Sequence, residues 1–311
     1  MGLLITPSGY RIPCFRSYLT HDYCLAKNVE YHTQAALAAA LIDELPLPPS
    51  IHPIVLGDTA FDAAVVRAAC RRRNFSWITP VNPERVLEGP KPRAKVSSLG
   101  TLLQASDLMP VRLTPSHGDL AVQHRPARCR CGSRTPSRTF YVHGEQRRVL
   151  HAGEVRLVFS TTKKPLPGKI AEIQKVLMTN DLTLSPRKVV QYYDMRWQIE
   201  LLFKELKSTL GLADYQFRSF DKVERFVAAC LVTFLYLEWF RWKQMRARHV
   251  PAAEKKRCSS QRTYGLCRQV RLHAELQDLQ YLVRSCRTKT GQRRMSKTLE
   301  NALPIEYRTI K

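Results

Sequence analysis

Residues 189–211 read VVQYYDMRWQIELLFKELKSTLG. Upstream, Ser185 and Pro186 form a helix start, with a hydroxyl at the N-cap and a proline at the first helical position. Gly211 supplies the stop. The pattern predicts one helix from Ser185 to about Leu210. At 100° per residue Tyr193, Arg196, Glu200 and Lys207 fall within an arc of about 60°. One face thus carries a phenol, two cations and one carboxylate. Ile199, Leu202, Phe203 and Leu206 supply the apolar surface, and Glu205, turned about 140° from Glu200, reads as a solvent charge. Geometry alone also allows a plainer reading, a helix with Arg196–Glu200 and Glu200–Lys204 pairs at i, i+4.

Working toward the N-terminus, strand and helix signals alternate. LLITPSGYRIPCFRSYL (residues 3–19) reads as two strands turning at Ser8-Gly9, and Pro13 assigns the second to a sheet edge. Thr33–Leu45 is a helix stopped by Pro46, Pro48 and Pro49. His52–Leu56 is a short apolar strand ending at Gly57-Asp58, Ala60–Arg73 a helix, and Phe75–Val81 a strand. This order predicts an α/β domain. From about residue 84 to 155 prolines break a basic stretch, expected as an insertion of loops with short strands at Thr139–Val142 and Glu154–Ser160. Regular structure resumes at Arg156, and a second long helix spans about Lys222–Arg248. The segments expected are therefore 1–83 and 156–250 as two parts of one core, 84–155 as a basic insertion, and 251–311 as a basic tail with weak helices at best.

The spacing Y-x2-R-x3-E-x6-K over Tyr193, Arg196, Glu200 and Lys207 resembles the signature of a branch of the DDE transposases of bacterial insertion sequences. The flanks agree: Thr179-Asn180 ahead of the helix, Arg196-Trp197, Ile199-Glu200, and LFKELK over Leu202–Lys207. GDTAFD over Gly57–Asp62 resembles the segment that carries that family's second acid. The resemblance covers about residues 1–250. It implies a ribonuclease-H-like mixed sheet with flanking helices, interrupted by an insertion. It also implies that Asp58 and Glu200 are catalytic and hold two Mg²⁺ (or Mn²⁺) ions, and that Tyr193, Arg196 and Lys207 contact DNA. The expected activity is metal-dependent cleavage and strand transfer at element ends, on double-stranded DNA, with a homodimer possible in the synaptic complex. Asp62, four residues beyond Asp58, is expected to be structural.

The family's first acid lies on a first core strand, and Asp22, Glu30, Asp43 and Glu44 do not fit that place. The chain is therefore expected to be an N-terminally truncated copy lacking that strand, holding metal and folding poorly. The competing reading is a non-catalytic DNA- or RNA-binding remnant that competes with intact transposase.

Charge supports a polyanionic partner. The 311 residues hold 50 Lys and Arg against 26 Asp and Glu, a net of +24, with a pI near 10.0. The excess falls in two blocks: +10 over residues 71–150 (15 against 5) and +13 over residues 239–311 (18 against 5). Residues 1–70 carry −2 (4 against 6) and residues 151–238 carry +3 (13 against 10). Arg71-Arg72-Arg73 and the Arg85–Lys95 segment are expected to border the active face, with Arg241–Arg271 extending it. Nine cysteines, irregularly spaced, and an opening without a basic secretory leader suit a reduced, cytoplasmic protein, and the resemblance implies association with the bacterial nucleoid. Cys129 and Cys131, with His124 and His143 nearby, lack the paired spacing of a zinc site. The apolar run Phe226–Leu237 has 12 residues, too few for the roughly 20 of a membrane span.

Overall fold

A computed structural model of the chain describes residues 1–7, 9–90, 93–113, 138–216, 218–246 and 263–285. Ser8 of the expected turn and the Cys129/Cys131 pair lie outside these. Contacts divide the chain into Met1–Leu235 and Tyr236–Lys311.

In the first unit a hairpin, β1 (Gly2–Ile5) and β2 (Arg11–Cys14), forms a sheet of its own. Helices α1 (His21–Lys27) and α2 (Gln34–Glu44) follow, capped by Thr20 and Thr33, whose hydroxyls accept from Tyr23 N and Ala36 N. Then come β3 (Ile54–Leu56), a 3-10 turn at Thr59–Phe61, α3 (Ala64–Arg72) and β4 (Ser76–Pro80). A short helix α4 (Val96–Gly100) precedes β5 (Met109–Leu113), β6 (Arg138–Val149), β7 (Gly153–Thr161) and β8 (Lys175–Thr179). Helices α5 (Pro186–Asp194), α6 (Trp197–Thr209) and α7 (Phe220–Arg246), the last of which continues past Leu235 into the second unit, complete the order.

Six strands form one mixed sheet, β3-β4-β8-β7-β6-β5, parallel between β3 and β4 and antiparallel elsewhere. Side chains alternate across a strand, so adjacent residues face opposite layers. Trp77, Leu157, Phe159 and Met178 pack toward α2 and α3 with Ala39, Ile42, Val66 and Cys70. Their neighbours Ile78, Val158 and Leu177 pack toward α5 with Val189 and Val190. Both faces are covered, which is why β7 reads VRLVFS with little polar alternation. Each large apolar side chain fully buried here, such as Phe159 or Leu157, contributes about 1.5–3 kcal/mol. A third cluster joins the hairpin to α6 and α7 through Leu3, Phe15, Leu202, Leu206, Leu231 and Phe234. The mixed sheet with flanking helices is compatible with the ribonuclease-H-like architecture that the resemblance implies.

Several expectations change. The single helix from Ser185 to Leu210 is two, because Met195, Arg196, Gln198 and Ile199 donate three residues back instead of four. The helix expected from Ala60 is a 3-10 turn followed by α3. The short strands expected at Thr139–Val142 and Glu154–Ser160 are the longer β6 and β7, which pair along nine residues, and β7 joins the core sheet through β8. In the second unit α8 (Thr263–Ser285) is a 23-residue helix where weak helices at best were expected. Its weak apolar periodicity hid it. Among the described residues no strand pairs with the outer edge of β3.

Candidate functional site

Asp58 leaves the carboxyl end of β3. Gly57 N donates to Ile78 O at 3.1 Å, continuing the β3–β4 ladder, and a Cβ at Gly57 would lie 3.1 Å from both Phe61 Cβ and Thr79 Cγ2. The tight approach favours glycine and delivers Asp58 directly from the strand end. Asp58 is exposed, and its Oδ1 accepts from Ala60 N at 2.9 Å, so it also caps the 3-10 turn.

Tyr193 lies in the last turn of α5, Arg196 at the junction, and Glu200 in the first turn of α6. Arg196 Nη2 donates to Glu200 Oε1 at 2.6 Å, and the guanidinium carbon lies 5.9 Å from the centre of the Tyr193 ring. The tight junction changes the angular spacing of a continuous helix, yet keeps these three groups together. Burial raises the Tyr193 hydroxyl above its usual pKa, with Arg196 pulling down and the charges of Asp58 and Glu200 pushing up. Burial opposes the charge on Arg196, but the bond to Glu200 and the charges of Glu200 and Asp58 hold that cation above its usual pKa. Asp58 and Glu200 therefore act on the same Tyr193–Arg196 pair. Lys207 stands two turns farther along α6, about 10 Å down its axis, exposed and outside this cluster. The i, i+4 pair Arg196–Glu200 forms as the plainer reading had it, and no Glu200–Lys204 pair is present among the described residues.

Lys175 was not anticipated. It opens β8, and its Nζ lies 5.1 Å from the Tyr193 ring centre. The period of two gives the signal: Leu177 faces α5, so Lys175 shares that face at the strand end.

Glu205 corrects an expectation. It is 8% exposed, and Arg11 Nη1, on a wholly buried side chain, lies 3.2 Å from its Oε2. The direction away from Glu200 meets the hairpin, not water. Asp62 is structural as expected: it receives Arg67, and Arg85 at 2.5 Å, on a side chain 5% exposed. The Arg71–Arg73 cluster does not border Asp58. It ends α3, beside the start of β4, where Arg72 pairs with Asp43 at 2.5 Å and Arg73 donates to Asp43 O and Leu45 O at 2.6 Å. Because β3 and β4 are parallel, that is the opposite end of the sheet. Arg85 and Lys95 do follow β4 at the near end, but Asp62 and Glu84 neutralise them.

Asp58 and Glu200 are hard oxygen donors of the kind divalent cations prefer. Each already accepts a hydrogen bond, and no group of three metal-ligating side chains gathers among the described residues. The pair alone does not fit a two-ion site. No helix among the described residues is long and apolar enough to cross a membrane. No curated protein matches the chain. A protein-family model described as "Transposase DDE domain" matches residues 18–236.

Proposed function

The chain belongs to the transposase DDE-domain family, and from that premise we propose that it engages double-stranded DNA at the ends of its mobile element, with Asp58 and Glu200 as acids of the cleavage site. Members of the family act on DNA and generally use divalent metal ions. What supports the reading is the Arg196–Glu200 bond at 2.6 Å beside Tyr193, together with the charge of Asp58, from the end of β3, which bears on both Tyr193 and Arg196. Tyr193, Arg196 and Lys207 are proposed DNA contacts, the cations meeting phosphates and the phenol stacking or donating. The Mg²⁺ or Mn²⁺ ions of this reading need more oxygen donors than the two carboxylates supply. A homodimer that pairs two ends, and a place at the nucleoid, belong to the same proposal.

The experiment incubates the full chain with supercoiled plasmid and Mg²⁺ or Mn²⁺ and scores nicking. Metal-dependent nicking that Asp58→Ala and Glu200→Ala each reduce to background supports the assignment. Nicking that survives Glu200→Ala overturns it.

A second reading is favoured by the absence of a three-ligand group among the described residues: a DNA-binding member that does not cut and that competes with an intact enzyme at DNA ends. Binding without nicking at any metal concentration distinguishes it.

A further inference from the structure

Of the positive charges near or along the Tyr193–Glu200 cluster, Arg196, Lys207 and Lys175 are not equivalent. Arg196 is bonded to Glu200 at 2.6 Å, so its charge is already balanced. Lys207 is well down α6 from the acids. Lys175 stands over the Tyr193 ring at 5.1 Å, is exposed, and forms no ion pair with a carboxylate among the described residues. It enters from β8, at the same sheet end as Asp58. The register shows this: Pro80, closing β4, lies opposite Leu177, and β4 runs parallel to β3. A cation held over the Tyr193 ring and not paired with a carboxylate among the described residues is available to a ligand that brings its own negative charge.

We propose that Lys175 is a phosphate-binding residue of this site, taking a backbone phosphate of the DNA strand from its place over the Tyr193 ring. This rests on the DNA-end reading above and deepens it, since it extends the contact surface from the α5–α6 helices onto the sheet. The strand fixes the position of Lys175 and the ring of Tyr193 limits its side chain, so the ammonium is presented with fewer rotamers to lose than a free surface lysine has. An ammonium acts as a point charge, so the contact is expected to be sequence-independent.

The test measures binding of the full chain to a fluorescein-labelled duplex of arbitrary sequence with a 3′ single-stranded tail, over a series of salt concentrations. Lys175→Gln and Lys175→Met are compared with wild type. The methionine keeps an apolar stem over Tyr193, so a shared loss reports charge and not packing. Both are expected to bind several-fold more weakly at low salt and to flatten the plot of log K against log salt by about 1. Lys175→Arg should restore the slope, and unchanged thermal melting should accompany all three because the side chain is exposed. Lys27→Gln, at an exposed position in the last turn of α1, should leave the slope at the wild-type value. An unchanged slope in both Lys175 variants while Lys207→Gln flattens it overturns the Lys175 assignment and leaves the DNA reading standing. A wild-type chain with no salt-dependent binding overturns both.

Discussion

Asp58 and Asp62 stand four residues apart in one motif, and burial decides what each does. Asp58 is exposed and uses one oxygen on a backbone amide. Asp62 is enclosed by Arg67, itself 3% exposed, and by Arg85, while Arg67 Nη2 also reaches His151 O at 3.3 Å. The cluster ties the turn after β3 to α3, to the segment after β4 and to the β6–β7 turn. Asp62→Ala leaves a buried guanidinium without its partner and is expected to destabilise by about 3–5 kcal/mol in urea denaturation. Asp58→Ala should cost no more than a lost cap, about 1 kcal/mol. Cys70 gives a second check. Burial pushes its thiol up to about 11, so at pH 8 iodoacetamide should leave it unmodified in the folded chain. Its folded pKa is raised, so the stability linked to it is fully present below the unfolded value of about 9 and is lost as pH rises from there through about 11. A folded chain alkylated at Cys70 as fast as denatured protein would contradict the packing around α3. The structural role of Asp62 was legible because the motif offered two acids and one strand end. The burial of Glu205 was not, because an angle on a helix says which way a side chain points and not what waits there.

At the scale of elements, α2, β3, β4 and the cap at Ser185 were legible, because there local chemistry and final structure agree. The break between α5 and α6 left no such mark, since Met195 and Arg196 keep helical backbone angles and only the hydrogen-bond span shortens. Gly144 shows how a tertiary contact explains a local anomaly. It sits inside β6 opposite Val158, where glycine weakens a strand, and a Cβ there would collide with Pro186 at the start of α5. Gly144→Ala is expected to cost about 1–3 kcal/mol by forcing α5 away from the sheet, measured by denaturant unfolding. The hairpin and α6 are joined by the buried Arg11–Glu205 pair, with Arg11 stacked 4.9 Å from the Phe234 ring centre. Arg11→Met alone strands a buried carboxylate and should cost about 3–5 kcal/mol. Arg11→Met with Glu205→Leu should recover most of that loss, because two apolar chains of similar volume replace a desolvated pair. A double variant as unstable as the single would show that the packing of Arg11, not its charge, holds the hairpin.

At the scale of the whole molecule, charge explains what the fold does not. The six-stranded sheet and its helices account for a core, yet no packing argument needs a net charge of +24. Within the described residues many cations are matched: Arg67 and Arg85 by Asp62, Arg72 by Asp43, Arg241 by Glu238. Composition could announce the excess but not which arginines are consumed internally, because pairing is set by tertiary contacts. That is why Arg71–Arg73, a basic run in sequence, turned out to brace α2. The larger of the two basic blocks is at the C-terminal end, where residues 239–311 carry +13 from 18 Lys and Arg against 5 Asp and Glu. If six to ten of the molecule's cations neutralise phosphates, affinity for duplex DNA should fall by about 10³–10⁵ between 50 and 200 mM salt. Fluorescence anisotropy with a duplex of arbitrary sequence measures it. Replacing Arg287, Lys289, Arg293, Arg294 and Lys297 with Gln removes five positive charges from that block. The expected result is a shallower salt slope, by up to about 0.9 for each replaced residue that meets a phosphate, with the metal dependence of any nicking unchanged. A slope identical to wild type would remove this part of the tail from the DNA-binding surface and assign the contacts to the sheet end and its helices.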